Sequence, residues 1–480
     1  MKHARTTRRR TARRITRRAA LAALLGCAPA LAACKGSGGP GAGTAGMPPP
    51  AVGSMVPQVT ELTVDAVQSD RGGEGWRTAL TSERAGTAKL DILPTRAGPL
   101  VSLLPYYYSE NDSDAALVAL DPADGSLAWA RLISLPDGAA PWWANYKSDV
   151  EDEVRKIAGR SDVVVSPDGR YASVIVRAYV SLTPGEHVSA VAVLDRASGR
   201  AVRTEEIRGL VLGQALTDDA LVIQTSSLLH PGSETVIASG SGEPGSGSGG
   251  PDGPGGGTGA GTGGNTSSTL TAFPLADPQA PPTTGSTPLW LLGATRDSLI
   301  LGASRIDSAC RTGDCLGYRV ALATASGQVT GQIDGVYAVH PNGFLERFTG
   351  GEADDAALTA MARDAPASTA NRDGESSWNR VWAGLGRELL DPASGATADT
   401  TGFTLSHVPT ASGWITTRWR PAWSEGDKGP TYTPQTAGWM DAPGPVSTEP
   451  IMMLSRDGPH EGSSTFAVSL TRTALADRPA

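Results

Sequence analysis

Histidine side chains are the first candidates for metal binding or acid–base chemistry in this 480-residue chain. Five of the six histidines lie beyond the first 33 residues: His187, His230, His340, His407 and His460. No two of them have the short spacing that metal ligands on one helix, strand or turn would need. His340 stands at a predicted turn where other copies of the same turn carry Ser or Thr. We therefore expect neither a metal site nor a catalytic histidine.

Clustered acids are the second candidates. Asn111-Asp-Ser-Asp114 offers oxygen ligands of the kind that calcium prefers, although a solvated loop between strands explains the same residues. The acids at 149 and 151–153 fit the wet face of a short helix, whose N-terminus favours negative charge. Neither cluster leads us to predict a bound metal.

Motifs for nucleotide binding and hydrolysis are missing or out of context. Gly259-Ala-Gly-Thr-Gly-Gly264 matches GxGxxG, but it lies in a low-complexity tract with neither a strand before it nor a helix after it. The chain has no Gly-x-Ser-x-Gly elbow, no P-loop and no zincin helix. The sequence therefore predicts no catalytic residue and no cofactor.

Aromatic side chains give the strongest candidate for a contact surface. Trp142, Trp143 and Tyr146 follow Pro141 in a segment that interrupts the strand pattern. Exposed aromatic residues in such an insertion would suit a partner protein or a glycan. Packing between strands remains the alternative for the aromatic residues that lie within predicted strands.

Two recurring turns indicate which elements position these residues. The stretch 161–208 holds four short Val- and Ala-rich runs, separated by a first turn at Ser166–Gly169 and a second at Asp195–Gly199. Four strands in about 45 residues is the size of one propeller blade. Further copies of the first turn are predicted at Pro94–Gly98, Thr217–Ala220, Thr295–Ser298, His340–Gly343, Pro409–Gly413 and Ser455–Gly458. Further copies of the second turn are predicted at Asp121–Gly125, Thr324–Gly327 and Asp391–Gly395.

The pattern of strand, Asp-x-x-Ser/Asp-Gly turn and strand resembles the repeats of quinoprotein-like (PQQ- or WD40-like) propellers. We therefore predict an all-β chain whose residues 57–480 form a single β-propeller of about seven four-stranded blades, with six or eight blades or two packed sandwiches as alternatives. Insertions with short helices are expected at 141–160 and 350–376, and a disordered one at 239–268. The segment Val59–Ala66 is expected to close the ring against strands near Pro450–Leu454 and Thr465–Leu470, because an open edge would invite pairing with a second molecule.

The first 33 residues have the composition of an export signal. They carry nine Lys and Arg, no acid, and an apolar run from Ala19 to Ala33. Thr16-Arg17-Arg18-Ala19-Ala20-Leu21 resembles a twin-arginine signal, although Ala20 replaces the usual bulky residue and an ordinary basic signal remains the alternative. Leu31-Ala32-Ala33-Cys34 resembles the lipobox of bacterial (actinobacterial-type) lipoproteins, which implies cleavage before Cys34 and a lipid on its sulfur. Residues 34–56 form a Gly- and Pro-rich tether.

Removal of this signal leaves a strongly acidic chain. Without the nine basic residues, 32 Lys and Arg face 49 Asp and Glu, a net charge near −17. Such a surface repels phosphate backbones, so we expect no nucleic-acid partner. Cys310 and Cys315 bracket a predicted loop tip, and in an exported chain they fit a local disulfide better than a metal site that lacks nearby ligands.

These observations predict an extracytoplasmic lipoprotein on the outer face of the cell membrane, held by lipid on Cys34, whose propeller is a non-catalytic binding or scaffold module. The rival from another class is an extracytoplasmic propeller enzyme, either a quinoprotein-type dehydrogenase or a hydrolase. A quinoprotein dehydrogenase of this shape is expected to carry adjacent cysteines, whereas Cys310 and Cys315 are separated by four residues.

Overall fold

The computed structural model describes residues 54–70, 75–83, 85, 88–93, 95, 97–105, 114–136, 163–179, 187–226, 268–302, 318–349, 386–401, 403–406, 414–422, 431–458 and 464–473. These residues belong to one compact unit, Pro50–Ala480. The expected leader, the insertions at 141–160 and 350–376, and nearly all of the tether and of the 239–268 tract lie outside them. Ser268, which was placed in that tract, begins a strand.

The named elements of the described residues are all β-strands. In chain order they are β1 (Gln58–Glu61), β2 (Asp65–Asp70), β3 (Gly75–Thr81), β4 (Ala88–Leu93), β5 (Leu100–Pro105), β6 (Ala115–Leu120), β7 (Leu127–Ser134), β8 (Val163–Val165), β9 (Tyr171–Tyr179), β10 (Val188–Asp195), β11 (Ala201–Arg208), β12 (Leu210–Leu216), β13 (Ala220–Ser226), β14 (Ser268–Pro274), β15 (Thr283–Thr287), β16 (Trp290–Ala294), β17 (Leu299–Gly302), β18 (Tyr318–Ala323), β19 (Val329–Val339), β20 (Leu345–Phe348), β21 (Arg387–Leu390), β22 (Thr397–Asp399), β23 (Phe403–Ser406), β24 (Trp414–Ala422), β25 (Thr431–Met440), β26 (Ile451–Asp457) and β27 (Thr465–Thr473).

The strands pair in antiparallel sheets that follow the chain. Blade 1 has the order β1-β7-β6-β5-β4, blade 2 β11-β10-β9-β8, and blade 3 β12-β13-β14-β15. A seven-stranded sheet, β16 to β22, supplies blades 4 and 5. Blade 6 contains β23-β24-β25, extended by a bridge between Trp439 and Ser447. Blade 7 has the order β2-β3-β27-β26.

The long strand β19 belongs to two blades. Its first half pairs with β18 in blade 4, and Val336–Val339 pairs with β20 in blade 5. Gly335, with φ +76°, lies between the halves. A Cβ there would lie 3.0 Å from the carbonyl oxygen of Phe348, so both backbone conformation and space favour glycine. This junction explains why two blades share one continuous sheet.

The two ends of the ring meet in blade 7, but not through the strand expected from the sequence. Gln58–Glu61 pairs with β7 as an extra outer strand of blade 1. The strand that closes the ring is β3, which pairs with β27 from Thr81↔Thr465 to Gly75↔Thr471. The prediction that Val59–Ala66 closes the ring was therefore wrong in its strand, although the C-terminal strands near 451–457 and 465–473 were placed correctly.

Apolar cores lie between consecutive blades and run right round the ring. One cluster joins blades 7 and 1, and further clusters join blades 1 and 2, 2 and 3, 3 and 4, 4 and 5, 5 and 6, and 6 and 7. Each central strand must therefore bury both faces, which explains continuous apolar runs such as Ala115–Leu120. Consecutive residues of this strand point to opposite faces: Leu117 packs in the core toward blade 2, and Val118 packs in the core toward blade 7. A cyclic series of sheets with shared cores is a β-propeller, as predicted.

Both predicted turn types are present. First turns close through hydrogen bonds such as Gly169 N to Ser166 O (2.8 Å) and Gly343 N to His340 O (2.9 Å). Second turns close through bonds such as Gly125 N to Asp121 O (2.8 Å). The glycines that end the second turns at 125, 199, 327 and 395 all have positive φ between 65° and 84°. The turn chemistry that the sequence indicated therefore fixes the spacing of the strands.

Two tryptophans lock blades together at these second turns. The indole N–H of Trp76 donates to Pro122 O (2.9 Å), and that of Trp129 donates to Arg196 O (2.9 Å). In each case the acceptor is the second residue of the next blade's turn. Each ring covers the glycine of that turn, because a Cβ at Gly125 would lie 2.3 Å from Trp76 and one at Gly199 2.6 Å from Trp129.

Candidate functional site

The side chains that the sequence placed in functional roles lie outside the described residues. They are the lipid-attachment residue Cys34, the contact residues Trp142, Trp143 and Tyr146, and the disulfide pair Cys310 and Cys315. His187 and His340 are described, and both are buried. Asp114, at the end of the acidic run, accepts a hydrogen bond from Leu135 N (3.2 Å) and so ties its loop to the end of β7.

Two simple kinds of site are absent from the residues that the structure describes. In those ranges, no three His, Cys, Asp or Glu side chains converge as a metal centre would require. No helix within them is long and apolar enough to cross a lipid bilayer.

A buried polar network lies between blades 5 and 6. It consists of Tyr337 from β19, His340 from the following turn, Glu346 from β20 and Arg387 from β21. Glu346 accepts from the hydroxyl of Tyr337 (2.6 Å) on Oε2 and contacts Nε2 of His340 (2.9 Å) through Oε1. Arg387 donates to the carbonyl oxygen of Phe403 in blade 6 and is near enough to Tyr337 to lower the pKa of its hydroxyl. The network thus spans three strands of one blade and reaches the next.

His340 occupies a position that has a different task in the other blades. In blades 1 to 4 the first residue of this turn is a buried Ser or Thr, namely Thr95, Ser166, Thr217 and Thr295. Their hydroxyls bond locally to the turn, as when Thr217 Oγ1 accepts from Ala220 N (3.0 Å). His340 keeps the backbone turn but directs its ring to Glu346, so one substitution converts a local cap into a link between strands.

The surroundings of Glu346 favour its ionised form. Burial is the largest single influence, and it raises the pKa of Glu346. The hydrogen bond and charge of His340, the hydrogen bond from Tyr337 and the charge of Arg387 act in the opposite direction, and together they lower that pKa below its usual value. The pKa of Tyr337 is raised well above 10, because its hydroxyl is buried and faces the Glu346 carboxylate. At neutral pH the network therefore holds a carboxylate and a protonated phenol.

This arrangement suits positioning better than acid–base catalysis. The residues His340, Glu346 and Arg387 are 1%, 5% and 2% exposed, so a substrate could not reach them without separating the blades. Tyr337 is the only one of the four with a partly exposed side chain, and its ring packs on Phe348 with centroids 4.8 Å apart. Arg387 is also held by its backbone, since its N–H donates to Thr401 Oγ1 (3.1 Å) and its carbonyl accepts from Thr400 N (2.8 Å).

Sequence reasoning missed three members of this network. Glu346 and Arg387 lie in short strands, where an isolated charge resembles a solvent-facing residue, and Tyr337 follows a glycine in a strand that changes blades. The available signal was His340 itself, which replaces Ser or Thr at a turn whose copies are otherwise alike. A bulky titratable group at a buried capping position implies a buried partner.

A second buried cation joins blades 1 and 2. Arg196 is 2% exposed, and its Nη2 donates to the carbonyls of Gly98 (2.9 Å) and Pro99 (3.1 Å) in the first turn of blade 1. Its guanidinium carbon lies 5.5 Å from the ring centroid of Trp129. Burial lowers the pKa of Arg196 to about 10. Its contacts are to backbone and to an aromatic ring, so it serves packing between blades.

Comparison with known proteins finds similarity to solved structures alone. No family model matches it. No curated protein matches it either. Among solved structures it is similar to the β-propeller domain of the Trilobed protease from Pyrococcus furiosus (10% identity, 81% of this chain, 91% of that chain, TM-score 0.30).

Two further solved structures show the same level of similarity. They are the acylaminoacyl peptidase of Pyrococcus horikoshii (8% identity, 84% of this chain, 56% of that chain, TM-score 0.34) and TolB from Acinetobacter baumannii (11% identity, 80% and 79%, TM-score 0.23). At these scores the likeness carries no inference about activity, ligand or ancestry. The β-propeller is established by the strand order and by the cyclic series of cores described above.

Proposed function

We propose that this chain is an exported lipoprotein, held on the outer face of a cell membrane by lipid on Cys34, and that its propeller is a non-catalytic binding module. The observation that carries this proposal is the order of segments in the sequence. A basic and apolar leader ends in Leu31-Ala32-Ala33-Cys34, a Gly- and Pro-rich tether follows, and strands of a closed ring begin at Gln58. A lipid at one end and a rigid ring at the other suit display at a surface.

The binding role is supported by where the insertions fall. The segment with Trp142, Trp143 and Tyr146 joins β7 of blade 1 to β8 of blade 2, so it leaves the ring between blades that are held by Trp129 and Arg196. Loops on a rigid scaffold are where recognition usually resides. A protein or a glycan is the partner class that aromatic residues in a surface insertion favour.

The anchor is tested by replacing its cysteine in a bacterial host that processes lipoproteins. We expect the native chain to incorporate labelled palmitate and to enter the detergent phase, whereas Cys34→Ala should do neither. Cys27→Ala is the matched control, because it removes the other cysteine of the leader and should leave both readouts unchanged. Equal labelling of Cys34→Ala and the native chain would contradict the anchor.

The contact surface is tested by deleting 141–160 from the full chain. We expect this variant to lose envelope partners that the native chain retains after cross-linking, while a chain lacking 239–267 keeps them. Retention of every partner by the first variant would rule out this insertion as the contact surface. The result for Cys34→Ala does not affect this test, since binding can be measured on released protein.

A further inference from the structure

The tryptophan locks define a repeated recess, which we call the inter-blade slot. It lies between an outer strand of one blade and the second turn of the next: Trp129 lies on β7, the fourth strand of blade 1, and Trp76 lies on β3, the third strand of blade 7. Trp129 fills the slot between blades 1 and 2, with its ring over Gly199 and its N–H on Arg196 O. Trp76 fills the slot between blades 7 and 1 in the same way, with its ring over Gly125 and its N–H on Pro122 O.

The equivalent strand position in blade 4 is Gly331. Trp129 comes four residues after the turn glycine at 125 and pairs with Ala119, two residues before that turn's first residue. Gly331 comes four residues after the turn glycine at 327 and pairs with Leu322, two residues before Thr324. Ile333, two residues further along the same strand, packs into the core toward blade 5. Alternation along the strand therefore directs position 331 to blade 5 as well.

The second turn of blade 5, which is equivalent to the turn that faces Trp129, has the same form as the turns that hold tryptophans. Asp391-Pro-Ala-Ser-Gly395 differs from Asp121-Pro-Ala-Asp-Gly125 at one position, and the two glycines have φ of 73° and 71°. Their surroundings differ, however. Gly125 is buried and a Cβ there would meet Trp76, whereas Gly395 is exposed and a Cβ there would have no atom within 4 Å. Among the described residues, therefore, no side chain occupies the place over Gly395 that Trp76 occupies over Gly125.

Glycine at the strand position does not by itself leave a slot open. Gly285 in blade 3 also faces the second turn of its neighbour, but a Cβ there would lie 1.8 Å from Ser326 O, so backbone already fills that junction. At Gly331 the nearest atoms to such a Cβ belong to Leu322 of the adjacent strand, 3.9 Å away. Val329, two residues before Gly331, is a large apolar residue that is 46% exposed.

We infer that the slot between blades 4 and 5 binds the indole of a tryptophan side chain supplied by a partner protein. The ring would lie over Gly395, and its N–H would donate to Pro392 O, the atom equivalent to Pro122 O and Arg196 O. The two internal tryptophans establish that this turn accepts an indole, and glycine at 331 leaves the fourth strand unable to supply one. The inference concerns the ring alone and does not depend on the lipid anchor or on the 141–160 insertion.

The first test uses the full native chain and a fluorinated probe, N-acetyl-5-fluorotryptophanamide, observed by fluorine NMR. We expect its line to broaden and shift with protein concentration. The 1-methyl analogue cannot donate the hydrogen bond and should bind about fivefold more weakly, since one such bond contributes about 1 kcal/mol. Equal binding of the two probes, or binding of 5-fluoroindole alone, would overturn the inference of a tryptophan side chain.

The second test fills the slot from within. Gly331→Trp should abolish probe binding and raise the melting temperature, because it restores the lock of the other slots. Gln332→Trp is the matched control, since it adds the same side chain to the next residue, which is exposed and points to the other face of the strand. Undiminished binding by a folded Gly331→Trp variant would overturn the site, and so would the absence of probe binding by the native chain. If Gly331→Trp does not fold, the comparison of the two probes on native protein still decides.

Discussion

Nε2 of His340 lies 2.9 Å from Oε1 of Glu346, within the apolar junction of blades 5 and 6. Both side chains are nearly inaccessible, and the carboxylate is ionised because the imidazole, the phenol of Tyr337 and the guanidinium of Arg387 together outweigh its burial. Breaking one partner of such a group leaves the others desolvated without compensation, which costs more than the pair itself contributes. The first two predictions concern this pair.

Glu346→Gln should lower the free energy of unfolding by about 3 kcal/mol, because it removes the buried negative charge around which His340, Tyr337 and Arg387 are arranged. The measurement is urea unfolding followed by circular dichroism. Asp334→Asn is the control, since its ion pair with Arg319 is exposed and screened by water and should contribute little. Similar losses in the two variants would show that the buried network contributes no more than a surface pair.

The same carboxylate should make the protein sensitive to acid. Because its pKa is lowered on folding, the unfolded chain binds more protons below the ordinary value of 4.5, so the stability from Glu346 is present above 4.5 and is lost as pH falls through the folded pKa. Asp195 and Asp399 also have lowered pKa values and add to the loss. The difference between native protein and Glu346→Gln, measured from pH 6 to pH 3, isolates this carboxylate. It should shrink toward acid pH, and a constant difference would contradict the prediction.

Comparing Gly199→Ala with Gly395→Ala should separate the cost of backbone strain from the cost of a steric clash. Both glycines have positive φ, so either substitution costs roughly 1–2 kcal/mol of strain. At Gly199 the new methyl would also lie 2.6 Å from the Trp129 ring, whereas at Gly395 it meets nothing within 4 Å. We expect Gly199→Ala to be the more destabilising by about 2 kcal/mol in thermal unfolding. Equal losses would mean that the Trp129 ring moves aside freely.

Removing β3 should open the ring, whereas removing β1 should not. An exported chain that begins after Glu61 loses one outer strand of blade 1 and should remain a monomer with a cooperative unfolding transition. A chain that begins after Thr81 loses Trp76 and Leu80 from the core and leaves the edge of β27 unpaired, so it should self-associate on size-exclusion chromatography. Monomeric, cooperative behaviour of both variants would contradict the assigned closure.

Much of the fold could be predicted from the sequence, because local turn chemistry repeats. Pro167 and Gly169, or Asp195 and Gly199, identify turns whose geometry depends on a few neighbouring residues. Runs such as Ala115–Leu120 are apolar on both faces because each central strand lies between two cores. Four-stranded blades follow from those two local signals.

Closure and the buried network could not be predicted, because both depend on residues far apart in the chain. The segments 58–61, 65–70 and 75–81 all resemble strands, and nothing local shows that only the third pairs with β27. Glu346 and Arg387 are 41 residues apart, and their proximity follows from the pairing of β20 with β21. The slot proposed at Gly331 likewise depends on two distant segments, β19 in blade 4 and the turn Asp391–Gly395 in blade 5.

The pairing of β3 with β27 also constrains how the molecule assembles. The hydroxyls of Thr81 and Thr465 lie 3.2 Å apart although they are 384 positions apart in the sequence, so the ring completes only after the chain has been synthesised through β27. Until then, the hairpin of β2 and β3 has an unpaired strand edge that could pair with another chain. A host that exports this polypeptide unfolded must protect that edge from pairing throughout transport. A host that exports it folded must protect the edge before transport, while the chain is being made.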